Sequence, residues 1–170
     1  EDALAKCMID LKGAFALVIM TEDTLVGVRD PLGIRPLCLG ELNGNYVLAS
    51  ESSALQTIGA ELIRDVSPGE IVVINKDGLK SQQVVNSPGR AHCIFEYIYF
   101  ARPDSTIDGI NVYRSRREMG RQLAKECKDL EVDLVISVPD SGTAAALGFA
   151  EEAGIPFEEG LMKNRYVGRT

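Results

Sequence analysis

Histidine is nearly missing from this 170-residue chain: it occurs once, at His92. A single histidine leaves few nucleophile–base pairs to consider, and no Ser-His-Asp or Cys-His set can be assembled. Cys93 is its neighbour, but adjacent residues in an extended segment face opposite ways, and His92 reads as a surface residue in a linker. Cysteine is sparse too. Cys7, Cys38, Cys93 and Cys127 stand far apart with no Cys-x-x-Cys pair, which argues against a disulfide framework and for free thiols in a reducing cytosol. No apolar run is long enough to span a bilayer and no secretory signal is visible, so membrane and export classes are set aside and a cytoplasmic protein is expected. Positive charge is in the minority, with 18 Lys and Arg against 25 Asp and Glu and a net charge of -7. That balance speaks against nucleic acid as the main partner, while leaving room for a local basic site. Internal repeats and low-complexity tracts are absent.

What is present is ordinary globular composition, 45% hydrophobic and 25% charged, in a length that suits one large domain or two small ones. The pattern favours two. Four of the ten aromatics fall between Phe95 and Phe100. As an extended strand, this stretch would place Cys93, Phe95, Tyr97 and Tyr99 on one face and Ile94, Ile98 and Phe100 on the other. Apolar on both sides, it reads as a buried strand at the seam between domains.

Before the seam, residues 3–11 show helical spacing at Ala3, Leu4, Cys7, Met8 and Leu11. Strands are expected at 13–20 and 24–29. Asp30 can then bond backbone amides across the turn containing Pro31 and Gly33. Asn43-Gly44 marks a two-residue hairpin between 37–42 and 46–49. Ser50 reads as the cap of a short helix towards Ile58, followed by strands near 61–66 and 70–74 and a last arm ending near Val85. Asn86 to Arg90 is the best linker, because Pro88 and Gly89 stop regular structure.

After the seam, Ser115-Arg116-Arg117-Glu118 has the form of a capping box. Met119, Leu123, Cys127 and Leu130 form an apolar stripe on the helix it would start. Val132–Val138 reads as a central parallel strand leading through Pro139–Thr143 into an Ala-rich helix closed by Gly154.

Two stretches here could carry chemistry. The loop Pro139-Asp140-Ser141-Gly142-Thr143 lies at a helix amino end, where free amides and the dipole attract anions; a simple Ser141 or Thr143 helix cap is the plainer alternative. Lys163 to Thr170 carries three cations, Lys163, Arg165 and Arg169, and no acid. Guanidinium groups bind phosphate through paired hydrogen bonds, although a solvated surface segment explains a charge run equally. Asp104 and Asp108 are spaced like paired carboxylates, with loop solvation as the plainer reading.

Several stretches resemble the glutamine phosphoribosylpyrophosphate amidotransferase family. Arg29 to Leu37, Ala49-Ser50-Glu51-Ser52 and Ser67-Pro68-Gly69-Glu70 are similar to glutaminase domains of the amino-terminal-nucleophile class. Phe95 to Ser105 and Lys163 to Thr170 are similar to this family more specifically. The resemblance implies an α+β and α/β chain: part of a glutaminase αββα sandwich over residues 1–90, then the first part of a phosphoribosyltransferase-type parallel α/β domain over 91–170. It implies an enzyme that passes glutamine-derived ammonia to phosphoribosyl pyrophosphate, giving 5-phosphoribosylamine in the first step of de novo purine biosynthesis. It further implies Mg2+, feedback by purine nucleotides and a homo-oligomer.

By resemblance, Asp140, Ser141 and Gly142 lie in the loop that holds diphosphate, with Ser141 near the magnesium. Lys163, Arg165, Tyr166 and Arg169 lie at the start of a loop that closes over the substrate. In members with a [4Fe-4S] cluster, the cysteine at the position of Cys93 is a ligand. The nucleophilic cysteine, the ribose-phosphate fingerprint and the remaining cluster ligands are not found in this stretch. The chain is therefore expected to be an excised segment, inactive alone. A non-catalytic phosphoribosyl pyrophosphate sensor and a structural relic of the glutaminase fold are the readings from other classes.

Overall fold

The computed structural model describes residues 2–87 and 89–168. The chain forms two compact units. One holds the chain up to Glu96 together with Ser105–Gly109, and the other holds Tyr97–Asp104 and the chain from Ile110 onwards.

The first unit is built in layers. Helix α1 (Asp2–Asp10) is followed by β1 (Ala16–Met20), β2 (Thr24–Arg29), β3 (Cys38–Leu42) and β4 (Asn45–Ala49). Then come α2 (Ser52–Thr57), β5 (Glu61–Asp65), β6 (Glu70–Asn75) and β7 (Gly78–Gln83). The strands form an antiparallel sheet of order β1-β2-β6-β7 and a second of order β4-β3-β5. Side-chain alternation along each strand sorts the apolar residues into three interfaces. Val26, Val28, Ile71 and Val73 pack with Met8 of α1 on one face of the larger sheet. Val72 points the other way and joins Leu37, Leu39 and Val66 between the two sheets. Cys38, one residue out of phase with Leu37 and Leu39, meets Leu55 of α2 and Ala60. The order helix, sheet, sheet, helix is an αββα sandwich. Each fully buried Leu, Ile or Val in such a core contributes about 1.5–3 kcal/mol.

Local chemistry explains most boundaries. Asn43 and Gly44 have φ of 52° and 80°, the double left-handed pair of a type I′ hairpin. Asp30 accepts backbone N–H bonds from Leu32, Ile34 and Arg35, all at 3.0 Å, as the turn reading required. Two details differ. The cap of α2 is Glu51, not Ser50, and it makes no side-chain cap bond. Cys7 is exposed rather than part of the apolar face of α1, and Leu11 is exposed beyond the end of the helix.

The second unit departs further from expectation. The aromatic stretch is not a strand: residues 96–100 form a π-helical turn, and Phe95 and Phe100 are largely exposed. The reason lies in α3 (Val112–Glu126). Its buried Arg116 donates from Nε to the Tyr97 carbonyl at 2.6 Å and from Nη2 to the Ala101 carbonyl at 2.9 Å. A sheet ladder would use those carbonyls differently; a helical turn delivers both to one guanidinium.

Helix α3 also starts earlier and faces differently than expected. Its cap is Asn111, whose side chain accepts from the Arg114 amide at 3.0 Å, so the sequence Ser115–Glu118 is interior and not a capping box. The buried stripe is Val112, Arg116, Gly120 and Ala124, while Leu123 and Leu130 are exposed. Small residues win because α4 (Thr143–Ala153) lies against this face. A Cβ on Gly120 would sit 1.9 Å from the Ala145 carbonyl oxygen, and one on Gly148 would sit 2.0 Å from that of Arg117. Two glycines therefore set the helix–helix distance. Helix α4 ends at Gly154, with φ of 68°, the left-handed cap expected.

Val132–Val138 is extended but only bridged, through a parallel pairing of Val135 with Phe157. The Val135 amide donates to the Pro156 carbonyl at 2.9 Å, and the Glu158 amide to the Val135 carbonyl at 3.0 Å. Leu134, Ile136 and Val138 are exposed, and among the described residues the stretch pairs only through this parallel bridge.

Candidate functional site

Each unit holds one conspicuous group of polar side chains. In the first, Arg29 at the end of β2 is only 1% exposed, yet all five of its N–H donors are used. Nε donates to the Arg35 carbonyl, Nη1 to that of Val66 and Nη2 to that of Gly33. The remaining two donors grip Asp108 in a bidentate pair at 3.0 and 2.7 Å. Burial would raise the Asp108 carboxyl, but the hydrogen bonds and charge of Arg29, with His92 and Arg90 nearby, hold it below the usual carboxylate range. His92 lies with Nε2 3.1 Å from Asp108 and a side chain 22% exposed, so it is not the surface residue expected. Asp104, by contrast, is exposed and paired with Arg102, and the two acids do not act together.

Ser105, fully buried, has its hydroxyl 2.8 Å from both Glu51 and Ser53, and the Thr106 amide donates to Ser52 at 2.8 Å. Residues of the glutaminase-like stretches are thus tied to the segment 105–108: Arg29 to Asp108, Glu51 to Ser105 and Ser52 to Thr106. Arg29, with every donor used, has none left for a substrate, and the network ties together segments distant in sequence.

The second unit carries an open cleft of about 750 Å³. Its walls follow from the parallel bridge. Because Val135 and Phe157 run the same way, both segments deliver their following loops to the same end. The loop 139–143 enters α4 on one side, and 159–166 passes on the other. Asp140, Lys163, Arg165 and Tyr166 all line the cleft. Ser141 and Gly142 lie in the same turn without lining it. Arg169 lies outside the described residues. Sequence reasoning overlooked Ser137, Phe157 and Glu159, which also line it; only the bridge places them there.

The amino end of α4 carries no side-chain cap. Its N-cap is Gly142, with no side-chain cap bond, so the reading of Ser141 as a cap fails. The Thr143 hydroxyl instead lies 3.2 Å from that of Ser137. A Cβ on Gly142 would approach the Val138 carbonyl oxygen to 2.8 Å, which keeps the turn tight. Opposite it, the Lys163 ammonium is 3.3 Å from Asp140 Oδ2. Asn164 accepts from the Tyr166 amide at 3.0 Å, and the Tyr166 ring is fully exposed. An uncapped helix end facing lysine and arginine across a cleft suits a phosphorylated ligand.

The four cysteines do not meet, and no group of three or more His, Cys, Asp or Glu among the described residues could hold a metal ion. Cys38 is buried, and burial, with Asp65 and Glu51 nearby, pushes its thiol up to about 12.

Comparison with known proteins places the chain first in a class. Residues 1–57 match the family described as a glutamine amidotransferase domain. The whole chain then matches something narrower. It is 51% identical over 169 residues to the amidophosphoribosyltransferase of Archaeoglobus fulgidus, covering 99% of this chain and 37% of that protein. Two solved structures superpose closely. One is glutamine phosphoribosylpyrophosphate amidotransferase from B. subtilis complexed with ADP and GMP, at TM-score 0.93 and 49% identity, over 99% of this chain and 37% of that one. The other is described as the allosteric regulatory enzyme of purine biosynthesis, at TM-score 0.94 and 49% identity, over 99% of this chain and 36% of that one. The chain belongs with the amidophosphoribosyltransferases, as a stretch spanning about a third of their length. Its fold class is the one expected, a glutaminase-type sandwich followed by an α/β unit.

Proposed function

We propose that the protein carrying this chain transfers glutamine-derived ammonia to phosphoribosyl pyrophosphate, forming 5-phosphoribosylamine at the entry to de novo purine biosynthesis. In this reading residues 1–90 are the later part of the glutaminase domain and residues 91–170 the first part of the phosphoribosyltransferase domain. The observation that carries it is the convergence of the uncapped amino end of α4 and the cationic segment Lys163–Tyr166 on one cleft. Half-identity along the whole chain to amidophosphoribosyltransferases supports the substrate.

The residues divide the work. Amides at the start of α4 receive diphosphate oxygens, aided by the helix dipole. Arg165 supplies paired hydrogen bonds to phosphate. Tyr166 offers an aromatic face to cover the sugar. Closure of the segment excludes water from the carbon that the amine must reach.

Magnesium fits the donor set: it is commonly held by one or two carboxylates with substrate phosphates, and Asp140 is an exposed carboxylate in the cleft, with Ser141 beside it. When bound it would neutralise charge on the diphosphate. For an iron–sulfur cluster, Cys93 would supply one of the four thiolates required, and no group of three or more His, Cys, Asp or Glu among the described residues adds to it; no step is derived through it. Feedback by purine nucleotides accords with the ADP and GMP in the B. subtilis structure. A cytoplasmic homo-oligomer completes the proposal.

Arg165→Ala in the full-length gene product tests it. Each charge-assisted phosphate contact contributes about 1.5–3 kcal/mol, so phosphoribosyl transfer should weaken roughly ten- to a hundredfold. Basal glutamine hydrolysis should be largely spared. Wild-type affinity and turnover for phosphoribosyl pyrophosphate would refute the assignment.

A further inference from the structure

Helix α3 carries positive charge along one line. Arg114, Arg117, Arg121 and Lys125 recur every three or four residues, so they share one face and span about 16 Å of helix. Lys128 follows in the turn after the helix. Like charges at this spacing repel, so the stripe works against the helix that bears it. Charged helix faces in contact with solvent commonly alternate in sign; this one does not.

Neighbouring acids answer the stripe only in part. Glu151 Oε2 accepts from Nη2 of both Arg117 and Arg121. Glu118 lies 3.1 Å from Arg121, and Glu152 lies 3.8 Å from the Lys125 ammonium. Arg114 and Lys128 are exposed and have no ion pair among the described residues. Five cations against three carboxylates leave two positive charges on this ridge, in a chain whose net charge is -7. Beside the ridge is an open groove of about 540 Å³, whose lining combines Arg117 and Glu151 with the apolar Leu147, Ile155, Pro156 and Phe157. Close packing of α3 on α4 at Gly120 and Gly148 holds ridge and groove together.

We propose that this face of α3 and α4 docks an acidic amphipathic helix of a partner protein, with carboxylates along the ridge and apolar side chains in the groove. The inference is independent of the phosphate reading of the cleft. A helix repeats its side chains at the pitch at which α3 repeats its cations, so several charge pairs form at once. An RNA would bring an unbroken line of phosphates past Glu118, Glu151 and Glu152, whereas a helix can leave those positions uncharged. The groove adds a second selection, because it is filled by an apolar side chain and by no phosphate.

Fluorescence anisotropy on the full-length gene product tests the docking face. The probe is a synthetic helical peptide with Glu at every third or fourth position and Leu along one edge. A scrambled peptide of the same composition and a single-stranded RNA of equal charge are the comparisons. The helical peptide should bind, and its affinity should fall as salt is raised. Arg114→Glu combined with Lys128→Glu should weaken it about tenfold, since two attractive pairs become repulsive. Neither residue has an ion pair to lose, so the unfolding midpoint should stay in place. Glu151→Gln should strengthen binding about twofold, because a competing carboxylate is gone. Leu147→Ala should weaken the peptide about fivefold and leave the RNA unaffected. A helical peptide that binds no better than the scrambled one, or that ignores the charge reversal, would overturn the proposal. RNA that binds as tightly as the peptide and responds to the same reversal would overturn it in favour of a nucleic-acid surface.

Discussion

Replacing Gly120 by alanine sets two physical effects against each other with opposite signs. Alanine is the better helix former by about 1 kcal/mol, so propensity alone makes Gly120→Ala stabilising. Packing says the reverse. The new methyl would stand 1.9 Å from the Ala145 carbonyl oxygen and 2.7 Å from its carbon. Both atoms are backbone and cannot turn aside as a side-chain end could. Helices α3 and α4 must separate by about 1 Å to restore van der Waals distance, and overpacking of this kind costs about 1–3 kcal/mol or more. With a backbone clash at the upper end of that range, the net loss is about 2 kcal/mol. For a chain of this size that lowers the midpoint of thermal unfolding by about 4–8 °C. The displacement also reaches the cleft, because α4 carries the amino end that lines it. Diphosphate binding should weaken alongside stability. Thermal unfolding followed by circular dichroism, with Leu123→Ala as a control on the exposed face of the same helix, measures it. The control should shift by no more than about 0.5 kcal/mol in either direction. A Gly120→Ala protein as stable as wild type, or more so, would show that the helices are not in contact at this glycine.

Asp108→Ala leaves Arg29 buried without its counter-ion and should cost about 3–5 kcal/mol, read from the midpoint of urea unfolding. Glu70 is held below the ordinary carboxylate range: burial would raise it, but two bonds from Arg64, at 2.8 and 2.6 Å, and one from the Ser67 amide prevail. A depressed folded pKa gives stability that is present above the unfolded value and is lost as pH falls through the folded one. Glu70→Gln should therefore flatten the acid limb of a stability–pH profile below about pH 4.3, and an unchanged limb would refute the role. With its thiol near 12, Cys38 should resist alkylation at pH 8 until the protein unfolds. Exposed Cys7 should react at once, as peptide mapping would reveal.

The sequence by itself determined the features whose causes are local. The Asn43-Gly44 turn, the Asp30 loop, the Gly154 cap and the strands of the first unit follow from backbone preference and a period of two. Each needs no partner further than a few residues away to be favoured. The layered sandwich was implied by the resemblance alone; alternation along β2, β3 and β6 assigns each side chain to a face once the sheets are known. The resemblance carried the rest of the domain reading, since composition has no way to express a substrate.

Tertiary structure decided three things. The stretch 96–100 has strand composition, yet a distant residue, Arg116, takes its carbonyls and leaves it helical. Aromatic residues report what a segment can bury, not which backbone geometry its neighbours demand. The buried face of α3 was misread because hydrophobicity points to Met119 and Leu123, whereas close approach of two helices selects Gly120 and Ala124. Smallness becomes visible as a packing signal when the facing glycine, Gly148, is known. Last, the cleft joins residues some 20 positions apart. Neither 139–143 nor 163–166 announces the other; the parallel pairing of Val135 with Phe157 sends both to one end of the unit. An anion site of this kind is a property of where strands end, and strand order is set by contacts that no single stretch of sequence contains.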